Sequence, residues 1–418
     1  RSLGGVAFLG VGATLSACGQ PGEPGGKPPV ERPLSPAELD KALQEQVKNV
    51  VVLFAENRSF NNLFANFPGV EKPLSALKPE DFQQRDRDGN LLQKLPPIWG
   101  GILQVGPQTL DGITYPVETQ FQENLPNAPF ALKGPSGEDL PLGLVTRDLW
   151  HVFYQNQMQI NGGKNDSFVA WADSGALTMG HYAQTRYSLR LWDVAREFVL
   201  CDNFFQGAFG GSFLNHQYLI SAKVPFYPDA ANSVAKSQIA TLQGDDPKGT
   251  RLKPLDKSPA SAMDGAPQFG PSALTPDGYA VNTMAPPYWP TWIRDPERPD
   301  YAKPDLPSVL VPQTHEHIGD KLSKKNVDWA WYGGAWQATL EQFKDSGGIP
   351  KIPNFQYHHQ PFNYFVRQGP ENPAERAKRL RDGGLGDESS TNKFFADAEA
   401  GKLPAVTFYK PQGNLNLH

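Results

Sequence analysis

In the run 51–60, VVLFAENRSF, five apolar residues lead into Glu56, Asn57, Arg58 and Ser59. A carboxylate beside an amide oxygen suits a hard or borderline divalent cation, and in open α/β sheets ligands collect outside the carboxyl ends of the strands. Taken alone, the pair reads first as a polar strand end capping the next helix. A second stretch, FFQGAFGGSFLNHQYLISA at 204–222, puts Ser212 behind two glycines, Gly210 and Gly211, that allow a sharp turn into a helix. A hydroxyl at a helix start faces unpaired backbone N–H groups and the positive end of the dipole. That place suits a phosphate oxygen, or a serine that becomes an alkoxide. Asn215, three residues on, returns to the same end and is suited to hydrogen-bond a bound oxyanion. The simpler reading of Ser212 is an ordinary N-cap.

The histidines add a third set. His151 precedes a helical stretch in DLWHVFYQNQMQINGGKND, His358 and His359 lie in YHHQPFNYF, and His418 ends the chain in KPQGNLNLH. Isolated histidines are more often structural than catalytic, so these stand as candidates only. The spacing in His315–Glu316–His317 suits metal ligation, but the segment lies on a Pro-rich approach to a helix and is read as surface.

These groups need a scaffold that brings them together. SPAELDKALQEQ opens with a capping box, Ser35 and Glu38, and Pro36 at the first helical position. It feeds VKNVVVLF, a continuous β-branched run of the kind found in strands buried on both faces of a parallel sheet. The same order recurs: SLRLWDVAREF before FVLCDNFF, IGDKLSKKN before VDWAWYGG, and TNKFFADAEAG before LPAVTFYK. Four helix-then-strand units predict an α/β domain with a largely parallel central sheet flanked by helices. Between them, residues 66–145 (with the hairpin-type turn DRDGN) and 224–312 are Pro-rich and lack helical periodicity. They are expected to be insertions decorating the sheet.

Across 418 residues, 39% are hydrophobic and 20% charged, enough for a sizeable core, and 40 prolines point to long ordered loops. A net charge of −5 leaves no basic footprint, so nucleic acid is excluded as a partner. Near the front, Val6–Leu15 is too short to span a bilayer and reads as the apolar part of an export signal. LSAC, ending at Cys18, has the pattern of a bacterial lipobox, and the following Gly- and Pro-rich run through residue 34 reads as a flexible tether. The expectation is an exported protein of the bacterial periplasm or cell envelope, attached to a membrane through a lipidated Cys18. Cys201, in the apolar run EFVLCDNFF, is then unpaired and expected to be a buried small residue.

With these residues assembled, KNVVVLFAENRSFNNLF resembles the opening motif of the bacterial phosphoesterase family that includes phospholipases C and a group of acid phosphatases. The motif continues with Asp in most members, where this chain has Asn61. GGSFLNH is similar to the acid phosphatase branch and unlike the Pro-Thr-x-Pro-Asn-Arg of the phospholipase type. QINGGKND, HIGDKLSKKNVDWAWYGGAW, YHHQPF and LPAVTFYKPQGNLNLH follow in that branch's order, so the resemblance runs from about Val47 to His418. It implies the alkaline-phosphatase-like α/β fold for residues 35–418 and a metal-dependent phosphatase acting on a phosphate ester. It also implies that Ser212 is the nucleophile and a metal ligand, and that Glu56 and Asn57 are metal ligands for a divalent ion whose identity the sequence does not fix. His151, Asn215, His418 and one or both of His358 and His359 would contact the phosphoryl group. Neighbours in an extended segment point to opposite faces, so one of that pair is expected at the site. In the family an acidic pair nearer the C-terminus completes the metal site, and the sequence is expected to be cut at both ends.

The alternatives are a phospholipase C-type phosphodiesterase, its second ester group held by the Pro-rich insertions, and a non-catalytic envelope lipoprotein of the same fold. Protonated histidines around a phosphate would favour mildly acidic pH. Oligomeric state is not legible.

Overall fold

A computed structural model describes residues 34–99, 106–116, 124–147, 149–182, 185–342, 355–386 and 388–415. Two compact units are distinguished, Arg1–Lys48 and Asn49–His418. In the first, helix Pro36–Gln46 begins with the expected capping box: the Ser35 hydroxyl accepts from Glu38 N, and the Glu38 carboxylate accepts from Ser35 N at 2.9 Å. The segments read as export signal, lipobox and tether lie outside the described residues up to residue 33, as does His418.

The second unit is built on a four-stranded sheet. Its strands are β1 (Val50–Leu53), β2 (Trp329–Gly334), β3 (Leu380–Gly384) and β4 (Val406–Lys410), and their spatial order is β1-β4-β2-β3. All three pairings are parallel, with Leu53 opposite Tyr409 and Gly333 opposite Lys410. The carboxyl ends of β1, β2 and β4 therefore finish at one level, which is where a parallel α/β sheet collects its ligands. Helices Ile318–Lys324 and Lys393–Glu399 precede β2 and β4 as expected, and together with the parallel sheet they show the predicted α/β class.

Aromatic packing fixes this frame. Trp329, Trp331, Phe362, Phe408 and Phe213 are buried in one cluster, and Trp331 stacks on Phe408 at 5.9 Å. The indole N–H of Trp331 donates to Gln360 Oε1 at 2.8 Å, so the ring is buried without leaving a donor unpaired. Gly333 makes this possible, since a Cβ there would lie 2.3 Å from the same oxygen. Truncating one of these rings to Ala is worth about 3–5 kcal/mol.

Several expectations are corrected. β1 is not buried on both faces: Val50, Val51 and Leu53 are exposed, because β1 is the edge strand. Full burial belongs to the inner strand β2, every residue of which is buried. FVLCDNFF forms no strand. It follows helix Leu191–Glu197 as irregular chain outside the sheet's ladders, with Phe198, Val199, Phe204 and Phe205 exposed. Cys201 is accordingly exposed as well. β3, whose sequence LRDGG carries no apolar run, was not expected, and as the other edge strand it does not need one. The DRDGN turn is as expected, with Asp86 N donating to Asn90 O and Gly89 at φ 85°.

Candidate active site

The residues following β1 reach the carboxyl end of the sheet by continuing its ladder, Phe54 N donating to Tyr409 O at 3.1 Å. Two residues later Glu56 is mostly buried, and Asn57 adopts φ 74°, a left-handed conformation that asparagine tolerates better than most residues. Ser59 then caps helix Phe60–Phe64, accepting from Asn62 N at 3.2 Å. The cap is thus supplied by Ser59 and not by Glu56 or Asn57.

Glu56 Oε1 is held from behind the sheet's end. His359 Nε2 lies 2.7 Å away and Lys410 Nζ 3.0 Å away. Lys410 closes β4 and is completely buried, so its ammonium has exchanged water for this carboxylate and for the face of Phe54 at 5.5 Å. Burial pulls its pKa below the ordinary lysine value, while Glu56 pulls it back up. His359 stands in a 3-10 turn, Tyr357–His359, and not in the extended segment expected from the sequence. The turn leaves its ring stacked on that of His216, 4.6 Å between centroids, and within 4.4 Å of His358.

Ser212 opens helix Ser212–Ser221, as expected, but Gly211 is the N-cap and Ser212 the first helical residue. Its hydroxyl is therefore not used as a cap, and it makes no hydrogen bond to another described residue. Phe213, Leu214 and Ile220 anchor the helix in the core. Asn215 braces the entry turn: its amide donates to Gly210 O at 3.1 Å and Gly211 O at 3.2 Å and accepts from Ala208 N. His151 backs the same turn. A Cβ on Gly211 would lie 2.6 Å from His151 O, so glycine is what lets the two chains approach. The His151 ring donates Nδ1–H to Leu149 O.

Glu56, Asn57, His151, Ser212 and Asn215 line one cleft of about 730 Å³. The chain thus brings together five of the eight residues expected at the site. His359 contacts Glu56 from the buried side, His358 is its neighbour in the 3-10 turn, and His418 lies outside the described residues.

Two buried groups were missed. Lys410 is one. The other is His216, one helical turn after Ser212, whose Nδ1–H donates to Ser212 O at 2.7 Å. Its Nε2 is buried without a hydrogen-bond partner among the described residues. Burial pushes its pKa down to about 3, with Glu56 opposing, and burial likewise holds His359 well below the ordinary value. Burial thus favours the neutral form of both rings, and His359 Nε2 faces Glu56 Oε1 at 2.7 Å beside Lys410 Nζ at 3.0 Å. The expectation that protonated histidines favour acid pH therefore does not extend to His359. His317 is also not surface: it is buried, caps helix Ile318–Lys324 by accepting from Asp320 N, and meets Gln368 Oε1 at 3.0 Å.

Donor atoms of Glu56, His216 and His359 lie within 4.8 Å of one another. One carboxylate and two neutral imidazoles suit a borderline divalent ion. His216 Nε2 offers an unused lone pair to such an ion.

A family model described as Phosphoesterase family matches residues 47–418. No curated protein matches the chain.

Proposed function

The chain belongs to the phosphoesterase family, which makes it a phosphoric ester hydrolase, and from that premise we propose that it is a metal-dependent phosphomonoesterase with Ser212 as its nucleophile. The observation carrying this reading is the convergence of Glu56, Asn57, His151, Ser212 and Asn215 on one cleft at the sheet's carboxyl end. A buried serine hydroxyl at the start of a ten-residue helix has nothing structural to do there.

Ser212 Oγ attacks phosphorus in line, forming the Oγ–P bond as the ester P–O bond breaks and the alcohol departs. Water then attacks the phosphoserine, releasing phosphate and returning the proton to Ser212. The N–H groups of the helix start receive the equatorial oxygens, Asn215 holds the turn that aims them, and His151 borders the same turn. Glu56 and Asn57 on the cleft wall, with Ser212, would hold the divalent ion. His216 and His359 offer further donors behind Glu56. When bound, the ion would neutralise phosphate charge and lower the pKa of the hydroxyl.

The test compares p-nitrophenyl phosphate with p-nitrophenylphosphorylcholine. The monoester should be hydrolysed faster, and acid quenching during turnover should leave a phosphoryl group on Ser212. Preference for the diester would reverse the assignment in favour of a phospholipase C-type activity.

A further inference from the structure

The cleft is far larger than one phosphoryl group requires, and at about 730 Å³ it falls among pockets that enclose a whole small molecule. Its walls come from different parts of the chain. Glu56 and Asn57 follow β1, and Ser212 and Asn215 lie in the first turn of one helix. Phe54 and Ala55 aside, every apolar side chain among the described lining residues comes from the segment 132–182.

That segment carries a core of its own. Leu132, Leu177 and Tyr182 are buried in a small hydrophobic cluster with Leu149 packed against it, distinct from the cluster that packs the sheet. Phe168 opens helix Phe168–Trp171, whose other three residues are buried. Trp150 packs on Phe269, with 6.0 Å between ring centroids. A wall anchored in this way is preformed, so a ligand meets it without first ordering it. Polar side chains between these groups are engaged by the protein itself. Gln159 Nε2 donates to Trp150 O at 3.1 Å, the Thr178 hydroxyl to Gly175 O at 2.8 Å, and Arg147 to Trp99 O. What this side of the cleft offers a ligand is apolar contact area.

We propose that this wall is a leaving-group subsite, and that the substrate class is phosphomonoesters of aromatic or other bulky apolar alcohols. This rests on the phosphatase reading above. With the phosphoryl group at Ser212, the alcohol portion occupies the rest of the same cleft, where Leu149, Phe168, Leu177 and Tyr182 cover it. The favourable free energy scales with the apolar area removed from water, so selectivity grows with the size of the apolar body.

Phenyl phosphate and biphenyl-4-yl phosphate are suitable probes, since they differ by one ring and little in the acidity of the departing phenol. The expected result is a preference of about tenfold in kcat/KM for the larger ester. It should appear mainly in KM, because the added ring is remote from phosphorus and is held alike in ground and transition states, and it should not weaken with salt. In Phe168→Ala the preference should collapse, and in Phe168→Leu, which keeps an apolar side chain, it should be partly retained. Equal kcat/KM for the two probes, or a preference unchanged in Phe168→Ala, overturns the subsite. Calorimetric binding of both esters to the Ser212→Ala chain reads the same difference without turnover and with the wall intact. Failure to hydrolyse either ester therefore sinks the phosphatase reading, whereas equal binding sinks this one.

Discussion

Lys410 Nζ sits 3.0 Å from Glu56 Oε1, and neither residue meets much water. The pair joins the carboxyl ends of β4 and β1, which the parallel register Leu53 opposite Tyr409 delivers to the same level. Removing one member of a buried pair strands the other charge, at a cost of about 3–5 kcal/mol, whereas removing both can be nearly neutral. Lys410→Met and Glu56→Gln should therefore each lower the urea midpoint more than the double variant does. Strict additivity in that cycle would mean that the two groups are not energetically coupled.

Gly211→Ala separates packing from backbone strain. Gly211 has φ −83°, open to any residue, so the whole effect comes from a Cβ placed 2.6 Å from His151 O. Overpacking of this kind costs about 1–3 kcal/mol. It also pushes His151 away from the turn that presents Ser212, so turnover should fall by a larger factor than stability predicts. A variant that loses stability while keeping wild-type kcat would show that this approach is structural only.

The chemistry-bearing wall was legible because it is written locally. Glu56 follows an apolar run, and Ser212 follows two glycines and begins a helix, so type and spacing suffice. His216 and Lys410 were not legible, since each sits inside an apolar element and becomes functional-looking only when a distant segment supplies its neighbour. The signals existed: His216 is one turn from Ser212 on the same helical face, and Lys410 ends a strand whose other residues read as core. FVLCDNFF shows the converse limit. An apolar run promises burial or pairing, but whether a ladder has room for it depends on which strands lie at the edge. The same uncertainty let β1 read as buried on both faces when it lies at the sheet's margin with Val50, Val51 and Leu53 exposed.

The exposure of Cys201 is directly measurable. Its thiol should react with a maleimide in the native protein at a rate close to that in urea. Protection by more than about tenfold would restore the sequence-based expectation of a buried cysteine.

Acid stability should depend on His317. Its ring accepts from Asp320 N and, as a neutral imidazole, donates to Gln368 Oε1. Burial holds its pKa below the ordinary 6.5; Asp320 and Gln368 oppose that shift, Arg367 adds to it, and Glu316 opposes it weakly. The unfolded chain therefore binds the proton more readily than the folded one. The neutral ring's contribution is complete above about pH 6.5 and is lost as pH falls toward the depressed folded value. His317→Asn keeps a capping side chain and removes the titration, so its urea midpoint should decline less between about pH 7 and about pH 5. An unchanged slope would place the acid sensitivity in other groups.

Glu56 belongs to both possible donor sets, the cleft wall with Asn57 and Ser212, and the buried triad with His216 and His359. The two differ in what His216 does. If the ion sits only at the cleft wall, His216→Gln leaves metal affinity nearly unchanged, because its ring lies behind Glu56 and touches Ser212 only through the backbone carbonyl. If the triad contributes, losing the unused Nε2 removes a ligand and affinity falls by about tenfold or more. Cobalt(II) titration of chelator-treated protein distinguishes the cases, since imidazole ligation changes the visible spectrum as well as the affinity. The orphaned Nε2, neutral and buried beside Glu56, favours the second outcome. Glu56→Gln should weaken binding under either arrangement, and a chain whose cobalt affinity ignores that substitution would remove the metal from this site altogether.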